Sequence, residues 1–183
     1  MNDFTLIDSG IETAPFLAQI EEHPELWNQN DGRTREGSPH YGIPDIWVRY
    51  RAQSEVTDPA QYNEPHWASF YPAWDLLPAM HPIVFGLMAK VRATYLGGIL
   101  ITKIPPKCSV RPHTDQGGWH AENYPLKIYI PLKSNPECVN YCAGSQVTMR
   151  AGEAWEFDNL KVHSVYNNGD EDRITLIVCF RTT

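Results

Sequence analysis

From residue 97 onward the chain breaks into eight short strand-like runs, at 98–104, 108–114, 126–132, 137–141, 146–149, 154–158, 162–166 and 173–181. Gly97-Gly98, Pro105-Pro106, Asn135-Pro136, Gly144, Gly152 and Asn168-Gly169 punctuate them. Gly and Pro at such junctions mark turns between strands. Eight short strands at this spacing need two facing sheets to bury their inner faces. The expected fold is therefore mainly β with flanking helices: a double-stranded β-helix, the cupin-like jelly roll. Periodicity alone leaves other antiparallel sandwiches open.

The first 96 residues read differently. Phe16, Leu17 and Ile20 recur at helical spacing within 13–23, with Pro15 in the first turn and Pro24 at the end. A second helix is predicted over 82–95, with Ile83, Val84, Leu87, Met88 and Val91 as its apolar stripe. Residues 27–45 and 53–72 read as loops, and 46–51 as a strand. No repeat or low-complexity linker divides the chain, and 183 residues suit one domain spanning 1–183. Its 1–96 part is expected to pack on the barrel formed by 97–183.

A net charge of −7 argues against a nucleic-acid or anionic-membrane surface, which needs clustered Lys and Arg. No apolar run approaches the ~18 residues of a membrane-spanning helix. The start, MNDFTLIDSG, lacks the basic and apolar regions of a signal peptide, so a cytoplasmic location is expected. Cys108, Cys138, Cys142 and Cys179 then read as free thiols. Cys138 and Cys142 lack the second pair a zinc knuckle requires.

The chemistry concentrates in three places. In His113-Thr114-Asp115, residues two apart on a strand share a face, so the imidazole and carboxylate would both look into the barrel while Thr114 looks away. His163 follows 48 residues after Asp115 in the alternating run NLKVHSVYN. Two His and one carboxylate from two strands suit one face of an octahedral Fe(II), leaving positions open. Arg173 lies ten residues beyond His163, across a turn-like SVYNNGDED. A three-residue hairpin loop at 167–169 would bring Arg173 opposite His163 and into the cavity; a two-residue loop would turn Ile174 inward instead. An inward guanidinium grips a carboxylate in a bidentate fork.

ITKIPPKCSVRPHTD, KIYIPLKSNPE, AGEAWEFDN and VHSVYNNGDEDRITLIV, taken together, resemble the aspartyl/asparaginyl β-hydroxylase-like 2-oxoglutarate oxygenases, from about residue 98 to the end. The resemblance implies an Fe(II)- and 2-oxoglutarate-dependent dioxygenase that consumes O2, hydroxylates an unactivated C–H and releases succinate and CO2. By it, His113, Asp115 and His163 match the metal ligands. Arg173 and Thr102 match groups that hold the distal carboxylate of 2-oxoglutarate. Lys127 stands where the family has an Arg that helps hold the co-substrate, and Tyr129 where many members have His. Lys offers a point charge in place of a bidentate fork.

Loops at the barrel mouth are where specificity residues are expected. QGGWHAENY offers Trp119 and His120; the loop before Ile46 offers Arg33, Arg35, His40 and Tyr41. The substrate class is an amino-acid side chain, in a polypeptide or as a free amino acid. Two other readings use the same residues: a cupin-like metal enzyme that does not use 2-oxoglutarate, and a non-catalytic β-sandwich binding module.

Overall fold

The computed structural model describes residues 3–182 apart from 57, 59, 60, 62 and 63. Eleven strands and four α-helices are present among the described residues. The strands are β1 (Phe4–Asp8), β2 (Asp45–Arg51), β3 (Ala68–Phe70), β4 (Tyr95–Ile104), β5 (Ser109–His113), β6 (Leu126–Lys133), β7 (Cys138–Cys142), β8 (Ser145–Val147), β9 (Ala154–Phe157), β10 (His163–Asn167) and β11 (Arg173–Arg181). The helices are α1 (Ala14–Glu22), α2 (Ala73–Leu76), α3 (His81–Lys90) and α4 (Trp119–Asn123).

The last eight strands correspond to the eight predicted runs. They divide into two facing four-stranded sets, β9-β6-β11-β4 and β5-β10-β7-β8. This is the double-stranded β-helix. The first set grows into a seven-stranded sheet by adding β1 beside β9, and β2 then β3 beside β4.

Period-two side-chain placement fixes what each face of the large sheet does. On β11, Ile174, Leu176, Val178 and Phe180 join a core with Ile99 and Ile101 of β4, and Ile128, Ile130 and Leu132 of β6. Phe16 and Ile20 of α1, and Ile83, Val84 and Leu87 of α3, cover that outer face. The alternate residues Arg173, Thr175, Ile177 and Cys179 of β11, with Thr102 of β4 and Lys127 and Tyr129 of β6, line the space between the sheets. One strand thus serves an oily outer core and a polar interior with successive residues.

Some expectations are corrected. The second helix stops at Lys90 rather than Tyr95: Arg92 turns left-handed at φ 54°, and Ala93 N–H closes on Met88 O at 2.9 Å. The predicted 53–72 loop contains β3 and leads into α2, and its residues 57, 59, 60, 62 and 63 lie outside the described residues. β1 and α4 went unpredicted. The hairpin drawn between His163 and Arg173 does not form. β10 pairs with β5 and β7, whereas β11 pairs with β4 and β6 in the other sheet. The link between them crosses from sheet to sheet. It is held by Asn167, whose side-chain NH₂ donates to Ile104 O and Glu171 O. Arg173 reaches the interior from across the barrel, not from beside His163.

Candidate metal and co-substrate site

His113 and His163 are directly opposite on β5 and β10, with ring centroids 4.2 Å apart. Each ring is oriented the same way. His113 Nδ1 lies 2.8 Å from Arg111 O, and His163 Nδ1 lies 2.9 Å from Lys161 O. A carbonyl oxygen only accepts, so both Nδ1 atoms carry the proton. Burial lowers both rings' affinity for a second proton, His163 to about 4, where the Lys127 charge adds to the effect. Both imidazoles are therefore neutral, with lone pairs on Nε2. Both Nε2 atoms are buried and have no hydrogen-bond partner among the described residues.

Asp115 completes the group by a route other than strand parity. β5 ends at His113, so Asp115 sits in the turn beyond it. Its backbone N–H donates to Asn159 O at 3.0 Å, and its Oδ2 accepts from Asn159 Nδ2 at 2.8 Å and Lys127 Nζ at 2.7 Å. Oδ1 is left 3.8 Å from His113 Nε2. Burial opposes the carboxylate charge, but Lys127 and Asn159 outweigh it and hold the group far below the usual carboxylate range. Reciprocally, burial opposes the Lys127 charge and Asp115 holds it far above the usual lysine range. Donor atoms of His113, Asp115 and His163 all lie within 4.8 Å of one another.

Two bare imidazole nitrogens and one ionised oxygen, converging with no internal partner for the nitrogens, suit an Fe(II) ion. Donation of each Nδ1–H to a carbonyl is the usual outer support of a metal-binding His.

A narrow cleft runs from this group to the depth of the barrel. It is lined by His113, His163, Thr102, Tyr129, Arg173 and Thr175. Arg173 is 1% exposed. Its Nη1 donates to Asn140 Oδ1 at 2.7 Å, and its Nη2 lies 3.5 Å from Met149 Sδ. Both partners are neutral. Arg173 Nε, Thr175 Oγ1 and Asn140 Nδ2 are buried without a partner among the described residues. Burying a guanidinium without an anion is costly, so the cleft suits an anionic group.

The other side of the group opens into a mouth cavity of about 240 Å³. Arg33, His40, Tyr50, His120, Tyr124 and Lys127 contribute to its wall. Of the predicted residues, Thr102 and Tyr129 thus lie in the cleft, Lys127, Arg33 and His120 at the mouth, and His40 at both. Trp119 stands behind the wall, its ring 4.8 Å from His66. Thr114, expected to face away, borders the mouth because it lies past the strand end. Arg35 and Tyr41 are exposed.

Helix α4 packs onto β4 through two glycines. A Cβ on Gly97 would come within 2.6 Å of Tyr124 Cγ, and one on Gly98 within 2.7 Å of His120 Nε2. Gly98 N–H donates to that Nε2 at 2.9 Å. Burial, aided by neighbouring His66, takes His120 down to about 3, so its ring stays neutral.

Asn140, Asn159 and Thr175 were missed in the sequence. Two signals were available. Thr175 shares a strand face with Arg173, and Asn140 is a polar residue at an inward position of β7. Asn159 gives no local signal, since its role depends on a residue 44 positions away.

The jelly roll, the convergent donors and the buried arginine together define an Fe(II)- and 2-oxoglutarate-dependent oxygenase. A family profile described as aspartyl/asparaginyl beta-hydroxylase matches residues 45–183. The chain belongs to this family and is a hydroxylating dioxygenase that uses Fe(II), 2-oxoglutarate and O2. No curated protein matches it. Solved structures share its fold at low identity. A 2OG-Fe(II) oxygenase family oxidoreductase from Burkholderia pseudomallei aligns with a TM-score of 0.59 at 13% identity, covering 97% of this chain and 85% of that one. A Trichoplax adhaerens prolyl hydroxylase, in complex with a hypoxia inducible factor peptide fragment, gives 0.58 at 11%, covering 98% and 84%. A Pseudomonas putida prolyl-4-hydroxylase gives 0.53 at 15%, covering 100% and 94%.

Proposed function

We propose that His113, Asp115 and His163 hold the Fe(II), that Arg173 and Thr102 hold the distal carboxylate of 2-oxoglutarate, and that the hydroxylated group enters through the mouth. The observation that carries this reading is that two buried Nε2 atoms without a hydrogen-bond partner and a buried guanidinium without an anion line one cleft. When bound, metal and co-substrate supply the oxidation, consuming O2, releasing succinate and CO2, and delivering oxygen to a C–H bond.

The chain's own residues bind and orient. Arg111 O and Lys161 O fix which imidazole nitrogen is bare. Lys127 and Asn159 occupy Asp115 Oδ2 and leave Oδ1 for the ion. Tyr129 walls the cleft, and Lys127, tied to Asp115, would add a positive charge that helps hold the co-substrate. Apolar cover from Val110, Val165 and Ile177 keeps water out of the cleft.

The substrate in this reading is one amino-acid side chain, on a polypeptide or a free amino acid. The mouth is smaller than the ~300–1,000 Å³ of sites for drug-sized ligands, which favours entry of a single side chain. The Trichoplax enzyme's peptide complex lends support to a polypeptide. Arg33, His40 and His120 would contact the substrate, with Trp119 backing them.

The shared apolar core of α1, α3 and the large sheet supports a single domain over 1–183. No helix among the described residues is long and apolar enough to cross a membrane. A cupin-like enzyme without 2-oxoglutarate has no use for Arg173 in its neutral surroundings. A binding module has none for the two bare imidazoles.

The test is incubation with Fe(II), 2-oxoglutarate, O2 and a panel of amino acids and peptides, read by mass spectrometry for one added oxygen matched by succinate. His113→Ala and His163→Ala should each lose stoichiometric Fe(II). Unchanged iron content in both would overturn the metal assignment.

A further inference from the structure

Residues 28–44 precede the family-matched region, yet they reach the active site. The segment forms a strap laced to the barrel along its length. Asn28 N–H donates to Asp45 O at 2.9 Å, Arg111 N–H to Pro39 O at 3.0 Å, and Lys103 N–H to Pro44 O at 2.9 Å. The Arg111 guanidinium also donates to Ser38 O. Ile43 is buried beside Ile104, Val110 and Val165.

The strap delivers His40 to one place. Its imidazole lies edge-on to the His113 ring at 4.9 Å, and it lines both the mouth cavity and the co-substrate cleft. Arg33 reaches back along the strap to hold it. Nη2 lies 3.2 Å from His40 Nε2, while Nη1 donates to Asp45 Oδ2 at 3.0 Å. Asp45 is 1% exposed and pairs with Thr102 in the sheet. The anchor of the strap is thus register-linked to a residue of the cleft itself.

We propose that His40 is a positioning residue that forms the partition between co-substrate cleft and substrate mouth, fastened in place by the Arg33–Asp45 ion pair. Retention of 2-oxoglutarate in this chain then depends on a segment the family pattern does not include. The inference rests on the functional reading above, which places 2-oxoglutarate in the cleft.

The test is 2-oxoglutarate binding to the full chain loaded with Fe(II) under anaerobic conditions, where no turnover occurs. His40→Ala should weaken affinity about tenfold, mainly through faster dissociation, with metal stoichiometry unchanged. His40→Phe restores a ring without the imidazole nitrogens and should return affinity to within about threefold of the parent. Arg33→Met leaves the ring but removes its fastening, and should weaken affinity in the same direction by a smaller factor. It carries the test if His40→Ala does not fold. A merely structural role predicts a lower melting temperature with unchanged affinity and dissociation rate. Equal affinity of parent, His40→Ala and Arg33→Met would overturn the partition alone. Failure of the metal-loaded parent to bind 2-oxoglutarate would instead overturn the functional reading.

Discussion

The two ends of the interior are charged in opposite styles. At the mouth, each buried cation has its anion: Lys127 with Asp115 at 2.7 Å, Arg33 with Asp45 at 3.0 Å. At the deep end, Arg173 is more completely buried and meets neutral groups, the Asn140 amide oxygen, the Met149 sulfur and the Cys138 thiol. A compensated pair is finished when the chain folds. An uncompensated cation is finished only when an anion arrives. In the proposed reading, the contrast separates residues that shape the site from the one that takes the co-substrate's carboxylate.

The largest expected effect tests the deep end. Arg173→Met should weaken 2-oxoglutarate binding by about 100-fold or more, through loss of a desolvated charged contact. Yet it should leave the melting temperature of the ligand-free protein equal or higher, because a lone buried charge has been removed. A clear drop in stability would show that Asn140 and Met149 already compensate it. The same kind of substitution at the mouth should behave in the reverse way. Lys127→Met leaves Asp115 buried without its cation, at a cost of about 3 kcal/mol, read as a fall of roughly 10 °C in Tm. Added Fe(II) or Mn(II) should recover part of that fall, since a bound cation stands in beside Asp115. No recovery would separate the carboxylate from the metal. Asn159→Ala should weaken metal affinity about tenfold through loss of the second tie on Oδ2, as measured by competition with a chelator. The smallest effect is on pH. His163 and His120 titrate near 4 and near 3 in the folded chain, below the ~6.5 of an exposed His. As pH falls below neutrality the unfolded chain takes up these protons first, so stability declines with acidification. Melting of the metal-free protein should drop by roughly 4 °C between pH 7 and pH 6; a flat profile would show these rings to be accessible to protons.

The sequence carried the fold well in its second half because each strand there advertises itself twice, by alternation and by the Gly or Pro that ends it. It carried β1, α2 and α4 poorly. Those elements are short, and they exist because of what they pack against: β1 pairs along β9, and α4 settles onto two glycines. The His113, Asp115 and His163 cluster was legible because an HxD triplet followed by a His in a strand-like run is unusual company. Arg173 lies in the interior, but not for the reason expected. A local hairpin was inferred, whereas the chain changes sheets, and nothing within SVYNNGDED distinguishes a turn that stays from one that crosses. Asp115 shows the same pattern, since strand parity put it inside but backbone and side-chain ties to Asn159 hold it there. What local pattern misses in each case is a contact made far along the chain.

Gly97 and Gly98 give the mouth a particular kind of heritability. The fit of α4 depends on what these two positions lack. Every amino-acid replacement at a glycine codon adds at least one carbon. There is consequently no conservative neighbour for these positions to drift through. Libraries meant to alter what the enzyme accepts would do better to vary Thr114, Gln116 and Ala121, which border the same opening, than to touch the pair on which the helix rests.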